Sequence, residues 1–102
     1  MRAVVWSDDA VEDFEQIVAY IAGDNPDAAD RVADRIEAAG DALGALAAGR
    51  RGRVAGTYEK VVTGLPYIIA YAIRAQAEGR ESIVILRIIH GARNWPADEW
   101  PE

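Results

Sequence analysis

The chain has 102 residues, which predicts a single domain over residues 1–102, and 51% of them are hydrophobic, which is enough for a packed core. It has no cysteine and a single histidine, His90, which excludes disulfides and thiolate metal sites and argues against a structural zinc site. No apolar run is long enough to span a bilayer, and no signal-like segment follows Met1. We therefore expect a cytoplasmic protein without a metal or cofactor.

The net charge of −6 is unevenly distributed along the chain. Residues 1–49 hold eleven acidic and three basic residues, a net charge of −8, whereas residues 50–95 hold three acidic and eight basic residues, a net charge of +5. Such a split favours a surface that attracts an anionic partner, although two solvated acidic helices would give the same pattern in the first half. The acidic total argues against direct DNA binding by this chain.

The first half begins with a predicted strand at residues 2–6 and continues as two helices. Ser7 is a helix cap followed by aspartates in the first turn, and Gly23 ends that helix. Asn25 and Pro26 form a second start signal, and we expect the second helix to run to Gly49. Two helices joined by a tight turn predict an antiparallel hairpin.

From Gly52 onward the periodicity becomes that of strands. The sequence predicts strands over residues 52–56, 58–63, 67–73 and 82–90, separated by turns that contain glycine. Short connections predict antiparallel neighbours. We therefore predict an α+β fold: an N-terminal strand, an antiparallel helical hairpin, and an antiparallel β-meander with the helices packed on one face of the sheet. Residues 96–102 are interpreted as a flexible tail.

Alternation along the last strand places Val84 and Ile88 on one face and Ile85 and Arg87 on the other. If the helices cover the first face, Arg87 points into the open face and His90 lies at the rim. A β-bulge would exchange these assignments.

Most catalytic mechanisms lack their residues in this chain. Nucleophilic hydrolysis would have only Ser7 and Ser82, the first a helix cap and the second a strand start. Asp9, Glu12 and Asp13 are interpreted as solvated helix residues rather than metal ligands. A ribonuclease that needs no metal remains open, since it requires a base, an acid and cations for the phosphorane charge. The candidates for these roles are His90, Glu59, Arg53, Lys60, Arg74, Arg87 and Arg93.

Several segments together resemble the ParE branch of the RelE/ParE toxins of bacterial toxin–antitoxin systems. They are GRRGRVAGTYE at 49–59, Pro-Tyr at 66–67 and LRIIHGARNWP at 86–96, within a resemblance that covers nearly the whole chain. The chain departs from the RelE pattern in having one lysine, Lys60, and from many ParE-like sequences in having Tyr58 after the threonine where arginine is common.

The resemblance implies a toxin that inhibits DNA gyrase and causes growth arrest, without being an enzyme. It also implies a ParD-like antitoxin, a DNA-binding protein of the ribbon–helix–helix type, that forms a hetero-oligomer with the toxin and neutralises it. The alternative is a RelE-like endonuclease that cleaves mRNA on the ribosome. For the antitoxin we predict contacts to Phe14, Ile17, Ile21, Arg74, Arg87 and Arg93. For the target we predict contacts to Arg53, Lys60, His90, Trp95 and Trp100.

Overall fold

The computed structural model of the chain describes residues 1–91, which form a five-stranded sheet and two helices. Arg93, Trp95, Trp100 and the predicted tail 96–102 lie outside the described residues. In chain order the elements are β1 (Ala3–Trp6), α1 (Asp8–Ala22), α2 (Pro26–Ala42), β2 (Arg50–Arg51), β3 (Tyr58–Val61), β4 (Tyr67–Ala75), a 3₁₀ turn (Ala77–Gly79) and β5 (Glu81–His90).

Both helices begin where the sequence predicts. Ser7 Oγ accepts a hydrogen bond from the Ala10 amide at 3.1 Å, and Asn25 Oδ1 accepts one from the Ala28 amide at 3.0 Å. Each cap satisfies a backbone donor that has no partner within its helix. Gly23 follows the last residue of α1. The predicted helical hairpin is confirmed.

The second helix is shorter than predicted, because α2 ends at Ala42 rather than near Gly49. At this end the chain packs closely against β1. A Cβ added to Gly40 would lie 2.8 Å from Cζ2 of Trp6, and one added to Gly44 would lie 2.6 Å from the Arg2 carbonyl oxygen. The Arg2 amide donates to the Gly44 carbonyl at 2.8 Å. The two glycines therefore let the end of α2 turn against the first strand.

The strands form one mixed sheet in the order β1-β5-β4-β3-β2. The antiparallel meander from β2 to β5 is confirmed. The first strand pairs in parallel with the last one, in the register Ala3–Ser82 to Trp6–Ile85. This pairing places β5 inside the sheet along Ser82–Ile85.

The strand predicted over residues 52–56 is wrong, since only Arg50 and Arg51 form β2 and the following residues form a turn. The Gly52 amide donates to the Thr57 carbonyl at 2.8 Å, and the Thr57 hydroxyl donates to the Val54 carbonyl at 2.7 Å. These bonds within the turn use the backbone groups that a strand would offer to a neighbour.

A bulge in the pairing of β4 with β5 changes which residues face the helices. Tyr71 pairs with Ile85 and Ala70 pairs with Arg87, so Leu86 is the extra residue. Ile85 and Ile88 both belong to the core under the helices, on either side of the bulge. The core on this face consists of Ala10, Ile36, Leu43, Val62, Ile69, Tyr71, Ile83, Ile85 and Ile88.

We use the term open face for the side of the sheet opposite the helices. Strand alternation places Val5, Glu59, Ile68, Ala70 and Val84 on it, in register across the strands. Within residues 1–91 no helix is long and apolar enough to cross a membrane.

Candidate partner-binding site

Arg87 is anchored to α1 by Asp13. Its Nε and one terminal nitrogen donate to the two Asp13 carboxylate oxygens at 2.7 and 2.9 Å, and the Ile88 amide donates to the same carboxylate at 3.0 Å. The side chains of Arg87 and Asp13 are 18% and 14% exposed. The hydrogen bonds that Arg87 donates to Asp13 raise the pKa of Arg87 above its usual value, against the opposing effect of burial. The Arg87 guanidinium is therefore charged at neutral pH.

This geometry corrects one interpretation of the sequence, since Asp13 is not a solvated helix residue. Arg87 pairs with Ala70 and therefore lies on the open face, where the sequence placed it, and its guanidinium reaches Asp13 at the edge of β5. β1 ends at Trp6, and past that point α1 instead of a strand lies beside β5. The Asp13 carboxylate satisfies both the exposed strand amide and the arginine beside it. A carboxylate of a partner would have to join or displace Asp13 at Arg87, and binding of an antitoxin there stays a prediction.

The apolar side chains predicted for antitoxin binding lie on the side of α1 that faces the protein's own core. Phe14 and Ile17 are half-buried and pack against the core, and the Phe14 ring meets the Trp6 ring edge-on at 5.8 Å between centroids. Ile21 is also half-buried. Two other apolar residues of α1, Val11 and Tyr20, are more exposed than these three, with exposed fractions of 40% and 85%. A partner on this helix would contact those two residues before the predicted three.

Arg74 lies far along the sheet from Arg87. It is exposed and pairs in register with Ser82, whereas Arg87 pairs with Ala70, four residues earlier on β4. Four residues of strand correspond to about 13 Å. A single carboxylate could contact both arginines only if their side chains extended toward each other along the sheet, whereas an extended segment could reach each with a different side chain.

Glu59 organises the basic loop, which we define as residues 49–57. Its carboxylate, which is 3% exposed, accepts hydrogen bonds from the Arg53 amide at 3.0 Å and from the Arg53 guanidinium at 2.9 and 3.2 Å. Arg50 adds an ion pair at 3.7 Å. Burial alone would raise the pKa of Glu59, but the bonds from Arg53 and the charges of both arginines hold it below its usual value.

Two residues predicted to share a target contact lie on opposite faces. Lys60 follows Glu59 on β3, so alternation places it on the helix side, where it lines an open groove of ≈ 240 Å³ with Arg35 and Ala39 of α2. Arg53 lies with Glu59 at the open face. All three arginines of the basic loop are exposed, but the Arg53 side chain, at 26%, is less exposed than that of Arg50, at 69%.

His90 is the last residue of β5 and pairs with Tyr67. Their rings meet edge-on with centroids 5.6 Å apart. Tyr67 packs against the core on the helix side, so this pair and Glu59 belong to opposite faces of the sheet. Across residues 1–91, no group of three metal-binding side chains is present.

The structure reveals two anchoring carboxylates, Asp13 and Glu59, where the sequence suggested solvated or loosely assigned groups. A signal for Asp13 was available, because it follows Ala10 by three residues and precedes Ile17 by four, which places it on the buried side of the helix. A signal for Glu59 was its position within a loop of several arginines.

Comparisons with known proteins agree with this architecture. The family described as ParE toxin of type II toxin-antitoxin system, parDE, matches residues 4–95. The chain is 41% identical over 96 residues to Y4kP of Sinorhizobium fredii, covering 93% of this chain and 94% of that protein. It is 39% identical over 94 residues to Toxin RelE2 of Caulobacter vibrioides, covering 91% and 99%.

A solved structure described as "Chromosomal ParDE TA system from P. aeruginosa" has the same fold. It superposes with a TM-score of 0.79 at 22% identity, over 88% of this chain and 96% of that one. The match over residues 4–95 and the two relatives at 41% and 39% identity go beyond the fold. The chain belongs to the ParE toxin family of type II toxin–antitoxin systems.

Proposed function

We propose that this protein is a cytoplasmic toxin that inhibits DNA gyrase by binding it, and that a ParD-like antitoxin of the ribbon–helix–helix type neutralises it in a hetero-oligomeric complex. The observation that carries the proposal is the match of the ParE toxin family to residues 4–95. The P. aeruginosa structure, which is described as a ParDE system, supports an antitoxin partner of the same kind.

The distribution of polar groups supports binding rather than bond cleavage. A general acid and a general base must reach the same scissile bond within hydrogen-bonding distance. Glu59 is buried under two arginines at the open face, and His90 lies with Tyr67 on the helix side. These two groups are the strongest titratable candidates among residues 1–91, and they do not converge.

The runner-up function is a ribosome-dependent mRNA endonuclease. The observation in its favour is the 39% identity to a protein named Toxin RelE2. Such an enzyme would need cations close to a proton-transfer group. The basic loop offers Arg50 and Arg51, while Lys60 and His90 are on the helix side of the sheet.

Two assays with the purified protein separate these functions. The first measures DNA supercoiling by gyrase, and the second measures cleavage of mRNA on ribosomes programmed with a defined message. Inhibition of supercoiling without mRNA cleavage would support the proposal. Cleavage without an effect on gyrase would replace it with the endonuclease.

The antitoxin contact is tested by charge reversal at an exposed site. Arg74→Glu should raise the dissociation constant of the antitoxin complex at least tenfold, about 1.4 kcal/mol, because an acidic segment would lose an attractive cation and meet a repulsive carboxylate. Arg31→Glu makes the same charge change at an exposed position of α2 and should leave the affinity within a factor of about three. Arg87→Glu should also weaken the complex at least tenfold, but it places a second carboxylate beside Asp13 and must be checked for folding first.

A further inference from the structure

We infer that the basic loop and two exposed apolar side chains beside it form the surface that contacts gyrase, and that Glu59 is the positioning residue that holds this surface in its binding conformation. The inference rests on the proposed function for the existence of that target and adds the place and the chemistry of the contact. The partner surface is a protein patch that presents carboxylates beside an apolar residue. We use the term loop patch for the side chains of Leu46, Arg50, Arg51, Arg53 and Val61.

The basic loop carries more positive charge than its own chain neutralises. It contains three arginines and no acidic residue. Glu59, which follows the loop, pairs with Arg53 at 2.9 Å and with Arg50 at 3.7 Å. Within residues 1–91, Arg51 forms no ion pair. Since one carboxylate serves two of the arginines, the loop can accept further carboxylates from another molecule.

The arginines surround the outermost strand of the sheet, β2. Arg50 lies opposite Glu59, whose side chain is on the open face. Arg51 lies opposite Tyr58, which stacks on Tyr71 on the helix side. Because successive residues of a strand point to opposite faces, the guanidinium groups of Arg50 and Arg51 extend to the two sides of β2. A partner that contacts this edge therefore meets a cation on either face.

Two exposed apolar side chains flank the basic loop. Leu46 is 71% exposed and precedes the loop by three residues, and Val61 is 49% exposed and follows it on β3. The chain before the loop runs past the same strand, since a Cβ added to Gly49 would lie 3.4 Å from Cα of Lys60. Apolar side chains among arginines are typical of the centre of protein–protein interfaces.

The basic loop is ordered by its own hydrogen bonds and by Glu59. The Gly52 amide donates to the Thr57 carbonyl at 2.8 Å, and the Thr57 amide donates to the Val54 carbonyl at 3.1 Å. The Glu59 carboxylate accepts from both the amide and the guanidinium of Arg53. A surface that is already ordered loses less conformational entropy on binding than a mobile one. Glu59 is 3% exposed, so it acts through the arginines and does not touch the partner.

The charge of the rest of the molecule favours a protein partner over DNA. Residues 1–49 hold eleven acidic and three basic residues, and the whole chain has a net charge of −6, which opposes binding to a phosphate backbone. A contact with a few carboxylates is compatible with that balance, because charges farther away than about 8 Å are largely screened at physiological ionic strength.

Binding of the purified toxin to immobilised gyrase in the absence of DNA tests the contact. Arg51→Glu should raise the dissociation constant roughly tenfold or more, because a carboxylate of the partner would meet a negative charge, and should raise the concentration that inhibits supercoiling in parallel. Arg31→Glu makes the same charge change at an exposed position of α2 and should leave both values within a factor of about three. Equal effects of the two variants would overturn the inference.

Glu59→Gln tests the positioning role, because charge and position predict opposite results. The substitution removes a negative charge, so a loop that acted only through diffuse positive charge would bind an acidic surface more tightly. Loss of the anchor for Arg53 predicts instead that gyrase binding weakens about fivefold or more. Tighter or unchanged binding would overturn the positioning role.

Two controls separate positioning from a general loss of structure. Affinity for the antitoxin should stay within a factor of about three in Glu59→Gln, and a parallel loss of that affinity would assign Glu59 to the fold alone. If circular dichroism shows that Glu59→Gln does not fold, Glu59→Asp takes its place. It keeps the charge and shortens the reach to Arg53, so diffuse charge predicts no change and positioning predicts the same weakening.

The outcomes distinguish this inference from the proposed function. Gyrase binding that is unaffected by Arg51→Glu would overturn the loop patch and leave gyrase as the target. Absence of any binding or inhibition of gyrase by the natural chain would overturn both. A labelled DNA duplex that binds the toxin as tightly as gyrase does, with the same loss in Arg51→Glu, would assign the loop patch to phosphates and overturn the inference.

Discussion

Replacing Asp13 with alanine should destabilise the protein by about 3 kcal/mol. The carboxylate accepts three hydrogen bonds, two from the Arg87 guanidinium and one from the Ile88 amide, at 2.7 to 3.0 Å. Removing one partner of a buried ion pair costs about 3–5 kcal/mol. The 18% exposure of Arg87 allows some solvation of the remaining charge, so the lower end applies.

Chemical denaturation followed by circular dichroism measures this loss. In thermal denaturation followed by the same signal, at about 4–8 °C per kcal/mol for a domain of this size, the expected fall in Tm is roughly 12–24 °C. Glu15→Ala removes an exposed carboxylate from the same helix and should change stability by less than about 0.5 kcal/mol. The stability of Asp13→Asn should lie between those of Asp13→Ala and Glu15→Ala, because the amide oxygen of asparagine still accepts one hydrogen bond but carries no charge.

A double-mutant cycle decides whether the loss comes from the ion pair. Arg87→Met in the Asp13→Ala background removes the unpaired charge and should recover about 1–2 kcal/mol, while the unsatisfied Ile88 amide prevents full recovery. A loss below about 1 kcal/mol in Asp13→Ala, or strict additivity in the cycle, would show that this contact does not hold α1 against β5.

Three further changes test separate parts of the molecule. Gly40→Ala should cost about 1–3 kcal/mol in denaturation despite alanine's better helix propensity, because its Cβ would meet the Trp6 ring, whereas Gly23→Ala at the open end of α1 should be nearly neutral. Glu59→Gln should be less stable than the natural chain at pH 7. The lowered pKa of Glu59 contributes stability that is complete above pH 4.5 and lost as the pH falls below it. The difference in free energy of unfolding between the natural chain and Glu59→Gln should therefore become smaller in acid. A difference that does not change with pH would contradict this. His90→Gln should retain growth arrest at equal expression, and a loss of about 10²-fold or more in a folded variant that still binds antitoxin would return His90 to a proton-transfer role.

The helical hairpin and the meander could be predicted from the sequence because their signals are local. The caps at Ser7 and Asn25, the stop at Gly23 and the apolar runs of the last two strands each specify structure within a few residues. The end of α2 could not be predicted in this way, because it depends on a contact between Gly44 and Arg2 that no local pattern records.

The candidate site was less predictable for the same reason. The face on which Arg87 lies depends on the bulge at Leu86 in the pairing of β4 with β5, and its bond to Asp13 depends on where α1 lies beside β5. Alternation counted along one strand cannot include an extra residue whose presence is set by its neighbour. The roles predicted for Phe14 and Ile17 assumed an uncovered helix stripe, whereas the protein's own sheet already packs against it.

The parallel pairing of the first and last strands also constrains the time at which the protein can fold during its synthesis. β5 lies between β1 and β4 and carries Ile83, Ile85 and Ile88 into the core, so a nascent chain that ends before about residue 90 cannot complete the sheet. Contacts across nearly eighty residues, such as the Ser7 hydroxyl with the Leu86 carbonyl, form only after every intervening element has left the ribosome. The surface formed by the complete sheet thus exists only once the chain up to about residue 90 has left the ribosome.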